Sequence, residues 1–60
     1  MTREQFFECF RIGELYMVRG TLVQLTGYDS VMDQGVFEDD SGNEVVAGPG
    51  LIRKINWSKV

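Results

Sequence analysis

Near its start the chain spaces two phenylalanines four apart, in "TREQFFECF". Phe6 and Phe10 share one face of a helix, Phe7 and Cys9 flank that face, and Arg3, Glu4, Glu8 and Arg11 are left for solvent. "TREQ" fits a capping box, in which the Thr2 hydroxyl accepts from the amide three residues on and Gln5 reaches back. The spacing predicts a helix of about ten residues, too short to stand without a surface for its phenylalanines to dock on. Gly13 stands where a left-handed residue past the helix end is wanted.

Beyond Gly13 the pattern changes to short apolar runs cut by turn residues. "ELYMV" and "TLVQLTGY" are rich in β-branched, aromatic and aliphatic residues and are separated by Arg19-Gly20, a tight turn. "GVFED" and "EVVA" flank Asp40-Ser41-Gly42-Asn43, a hairpin loop that places Gly42 at positive φ. Gly48-Pro49-Gly50 reads as a type II turn, with Pro49 presetting the first central position and Gly50 supplying positive φ at the second. In "LIRKINWSKV", Leu51, Ile52 and Ile55 fit a helical turn, while Leu51, Ile55 and Trp57 share a strand face. A short turn leading into a final strand reconciles the two. The expected fold is mainly β: a short N-terminal α-helix followed by a small, strongly curved four- or five-stranded antiparallel barrel, in one domain spanning 1–60. Closure is expected because it hides strand edges.

Composition narrows the chemistry. Sixty residues with one cysteine and no histidine leave neither an internal disulfide nor a tetrahedral zinc site to brace a small core. Self-association is the remaining reinforcement, so a homo-oligomer is expected, and no cofactor is implied. The uncharged runs Gly20 to Tyr28 and Val45 to Ile52 are far short of a bilayer span. With no signal-peptide pattern at the N-terminus, the expected address is cytoplasmic, without membrane contact.

One long segment, "LYMVRGTLVQLTGYDSVMDQGVFED" followed by "LIRKI", resembles the Sm and Hfq proteins. Gly20 falls on the turn of that family's first motif, Tyr28-Asp29 and Met32 on its aromatic-Asp and Met positions, and Ile52-Arg53 on the apolar-Arg pair of the second. The resemblance implies a helix, a bent five-stranded barrel and an oligomeric ring that binds RNA, with Tyr28, Arg53 and Lys54 as contacts. Three departures weaken the implied activity: Val31 and Asp33 replace the usual base-stacking aromatic and base-reading Asn, and Lys54 replaces Gly. Src-homology-3-like barrels are an equally good analogy for the fold.

Charge is divided along the chain. Acids and bases balance up to Tyr28, and residues 45–60 carry only Arg53, Lys54 and Lys59. The middle holds Asp29, Asp33, Glu38, Asp39, Asp40 and Glu44 with no base. Solvated loops account for such acids as well as a binding surface does. The functional alternative is an acidic patch that steers a protein partner with a basic surface. Tyr28 and Trp57 join the patch as candidate partner contacts, because each ends a segment and carries a polar handle. A calcium loop fails on spacing, since counting back from Gly42 puts Phe37 at its first ligand position. Without histidine the usual nucleophile pairs are missing. Cys9 reads as a buried small hydrophobe, and no phosphate-binding glycine fingerprint is present. Phe6, Phe7, Phe10, Tyr16 and Phe37 read as core. The expected function is a small non-enzymatic binding protein, of the kind phages and mobile elements carry, that regulates or inhibits a larger partner. The alternative is an Sm-like RNA-binding ring.

Overall fold

The structure, a computed structural model, describes residues 1–55; Trp57 lies outside the described residues. The capping box forms as expected. Gln5 N donates to Thr2 Oγ1 at 3.1 Å and Thr2 N to Gln5 Oε1 at 2.9 Å, opening helix α1 (Arg3–Cys9). At seven residues α1 is shorter than its pattern implies, because Phe10 takes extended backbone (φ −133°, ψ 149°) and turns its ring edge-on to Tyr16, 5.5 Å away. Gly13 is left-handed (φ +89°), yet it serves the entry to the sheet rather than the helix end, its N–H donating to Leu25 O at 2.8 Å. Cys9 corrects the reading above: it is exposed, since Phe6 alone of α1 is buried.

Five strands follow: β1 (Leu15–Val18), β2 (Thr21–Asp29), β3 (Gln34–Glu38), β4 (Glu44–Ala47) and β5 (Ile52–Lys54). They form one antiparallel sheet in the order β4-β3-β2-β1-β5. Arg19 (φ 50°) and Gly20 (φ 79°) are both left-handed, as a two-residue hairpin turn between twisted strands requires. Between β4 and β5, Pro49–Leu51 makes a 3-10 turn closed by Leu51 N donating to Gly48 O at 3.0 Å. This replaces the expected type II turn. Proline's fixed φ suits the first position of either, and Gly50 is not left-handed.

Two features of the middle strands set the shape. Pairing of β2 with β3 shifts register between Leu25 and Gly27, leaving Thr26 as an extra residue whose hydroxyl donates to Val36 O at 3.1 Å. Val23 and Leu25 point inward on odd positions, and after the bulge Tyr28 does so on an even one. The register also forbids a flat sheet. Ile52 lies level with Thr21 through Val18, and Ala47 level with Tyr28 through Gly35. In a flat sheet those two would be ~23 Å apart along the strands and ~19 Å across them, ~30 Å in all. The five-residue step from Ala47 to Ile52 reaches ~18 Å at most. The sheet is therefore strongly curled, and Arg19 Nη2 in the β1–β2 turn meets Val46 O on the β4 edge at 3.4 Å. Its two outer strands do not pair, so it stays open where a closed barrel was expected.

Inside the curl, Phe6, Phe37, Leu25, Val18 and Val23 are fully buried. Phe6 stacks on Tyr28 at 4.5 Å between centroids. Gly35 makes that packing possible: a Cβ there would sit 2.8 Å from Phe37 Cε1 and 2.9 Å from Phe6 Cζ.

Candidate functional site

The acidic stretch is bent into two turns at opposite ends of β3, whose four residue steps separate them by ~13 Å. In the first turn Asp29 Oδ1 accepts from Val31 N (2.9 Å) and Met32 N (3.3 Å). Asp33 follows in the left-handed region (φ 53°). Its carboxylate accepts from the Tyr28 hydroxyl through Oδ1 and from the Met1 ammonium through Oδ2 at 3.2 Å. The phenol oxygen also lies 2.7 Å from Met1 O. The bond to Asp33 pushes the Tyr28 phenol up to about 12, and the same bond, foremost, lowers the Asp33 carboxyl. Asp33 is thus engaged within the chain. Beside the exposed Ser30, the turn presents two large apolar side chains to solvent, Val31 at 89% and Met32 at 62% exposure.

The second turn is self-contained. Asp39 Oδ1 accepts from Ser41 N (3.0 Å) and Asn43 N (2.8 Å), while Gly42 N donates to Asp39 O at 3.0 Å. The Asn43 amide, ahead of the other donors, holds the Asp39 carboxyl below its ordinary range. Gly42 is left-handed (φ 84°), as its place before Asn43 in a polar loop predicts. Asp39 is accordingly the organiser of the loop. Glu38, Asp40 and Glu44 are the acids it presents, and Glu38 is paired directly across the ladder from Glu44. Among the described residues the only ion pair is that of the Met1 ammonium with Asp33, so none of these three carboxylates has a cation beside it.

A groove of about 150 Å³ lies beside this hairpin end, lined by Leu15, Leu22 and Val23, by Gln24 between Leu15 and Glu38 in the ladder, and by Glu38, Asp39 and Asp40. Sequence reasoning missed it. The available signal was Leu22, an apolar residue on the outward phase of "TLVQL", where alternation wants a polar one. A second cleft, about 250 Å³, lies between the end of α1 and β5, with Glu8, Arg11, Glu14 and Lys54 in its lining. Its mixed charges favour no one sign of ligand.

The residues implied for RNA do not converge. Tyr28 is buried against Phe6 near the far end of β2. Arg53 lies level with Leu22 through Met17, six residues further up that strand, and donates to Gly50 O at 2.7 Å. Lys54 sits over the Phe10 ring, 5.6 Å from its centroid. Among the described residues no three acid or thiol side chains are grouped to hold a metal ion, and no helix is long and apolar enough to cross a membrane. No family model, curated protein or solved structure matches the chain.

Proposed function

We propose that the protein is a small non-enzymatic binding protein whose β3–β4 hairpin end captures a basic surface on a larger protein and so regulates or inhibits it. The observation that carries this reading is Glu38 facing Glu44 beside Asp40, all exposed and none paired with a cation among the described residues. Like charges directly opposite each other in a ladder cost stability. Their combined field speeds encounter with a positive surface and selects against negative ones. The reading takes the curled sheet as an incompletely closed barrel of the Sm or Src-homology-3 kind, supported by the bond from Arg19 to Val46 across its opening. It takes the protein as cytoplasmic and its working form as a homo-oligomer, the latter supported by two sheet edges without strand partners among the described residues. The RNA-binding alternative lacks such support, because its aromatic is buried and its two cations lie elsewhere.

The test is affinity capture from a lysate of the source organism with the wild type and an Asp40→Lys/Glu44→Lys variant as paired baits, thermal melts first establishing that both fold. Proteins specific to the wild type should be lost by the variant and should elute as salt rises. Identical retention by the two baits rejects the acidic surface.

A further inference from the structure

The groove beside the hairpin end asks for more of its occupant than positive charge. Apart from Gln24, whose amide donates to Gly13 O at 3.0 Å, the strand residues that line it are apolar, and Leu22 among them is 48% exposed although it lies within a strand. Its other side is acidic, and no basic side chain among the described residues lines the space. Asp39 beside it is held by the loop amides, whereas the carboxylates of Glu38 and Asp40 receive no hydrogen bond from the described residues. A groove with exposed leucine at its base and two available carboxylates beside it complements a side chain that is apolar along its stem and cationic at its tip.

We infer that the groove seats a lysine of the basic partner, its four-carbon stem along Leu15 and Leu22 and its ammonium between Glu38 and Asp40. Lysine fits better than arginine. A compact ammonium with three donors can be shared by two separate carboxylates, while a guanidinium seeks both oxygens of a single one. The inference rests on the acidic-surface reading and adds a requirement that charge alone does not make: the stem must matter.

The probes are four hexapeptides of equal charge with shrinking stems, made of lysine, ornithine, diaminobutyrate or diaminopropionate. Each is titrated into the isotopically labelled full chain at low salt and at a pH where every amine is charged, with backbone amide shifts as the readout. The lysine peptide should bind tightest and shift the amides of Leu22, Glu38 and Asp40, and affinity should drop about two- to fourfold for each methylene removed, the worth of one partly to fully buried CH₂. Leu22→Ser, an exposed position that spares the core, should flatten the series. Equal affinity along the series in the wild type overturns the seated stem while leaving the acidic surface standing. Absence of binding by all four peptides overturns both.

Discussion

At one end of β3, Asp29 gathers the amides of Val31 and Met32 onto one carboxylate oxygen; at the other, Asp39 does the same with Ser41 and Asn43. Both turns include a left-handed residue, Asp33 in the first and Gly42 in the second. They differ in what lies beneath. The first is tied to the core through Tyr28, whose hydroxyl holds Asp33 and whose ring lies on Phe6. The second touches little beyond itself and offers its acids to solvent. Local turn chemistry alone therefore does not tell a structural acid from an available one; the neighbours that receive or withhold hydrogen bonds decide it.

The sharpest test of that difference uses one glycine from each end. Gly35 opens β3 just after the first turn, where an added Cβ would press on the rings of Phe37 and Phe6 at 2.8 and 2.9 Å. Overpacking of this kind costs about 1–3 kcal/mol, and in a domain this small each kcal/mol moves the melting point by roughly 4–8 °C. Gly42→Ala meets only Glu38 Oε1 at 3.8 Å and bears the left-handed backbone cost alone, about 1–2 kcal/mol, below the upper part of the Gly35 range. Thermal melts should rank Gly35→Ala below Gly42→Ala, and the reverse order would mean that the first turn is not the one welded to the core.

Titration separates the turns by the limbs of the pH curve they shape: the first acts on both, the second on the acid limb alone. The Tyr28 phenol is raised from 10.0 to about 12 by its bond to Asp33, so the unfolded chain ionises first as pH climbs. Its contribution is complete below pH 10 and is lost through the folded value. The Asp39 carboxyl is lowered from 3.8 by the Asn43 amide; its contribution is present above that value and vanishes as pH falls through the folded one. Melting temperature plotted against pH should lose part of its alkaline fall in Tyr28→Phe and part of its acid fall in Asp39→Asn. Tyr28→Phe also removes the bond that most lowers Asp33, so its acid fall should shrink too, whereas Asp39→Asn should leave the alkaline fall unchanged; Tyr16, raised by burial, sets the alkaline background. Curves parallel to the wild type on both limbs would remove the distinction.

Sequence pattern made the helix start, the strand runs, the Arg19-Gly20 turn and the left-handed Gly42 legible, because each depends on residues within a few positions of one another. The rest depends on partners distant in sequence. Thr26 bulges because Val36 lies across from it, and no neighbour of Thr26 announces that. Asp33 resembles Asp40 in one dimension, yet Tyr28 and Met1 engage the first and leave the second in water. Proline's fixed φ fits a 3-10 turn as well as a type II turn, so Pro49 could not choose between them. Cys9 flanks the face of Phe6 and Phe10 in the helical spacing, yet it is exposed, and Phe10 leaves the helix to reach Tyr16.

The smallest expected effect bears most directly on the second turn. Glu38 and Glu44 are opposed across the ladder, both exposed, so their repulsion is felt mainly through water. Opposite-charge pairs in this position contribute roughly 0.2–1 kcal/mol, and like pairs are unfavourable. Glu44→Lys should therefore raise the melting point by a few degrees at low salt, with the gain shrinking as the Debye length shortens. The same substitution places a cation beside the groove and should weaken the lysine hexapeptide. A variant that becomes more stable while it binds less well is the outcome expected if these acids are kept for a partner rather than for the fold. A fall in stability would show that the two carboxylates do not repel in the native state, and a gain in stability with undiminished peptide binding would place the basic partner somewhere other than this end of β3.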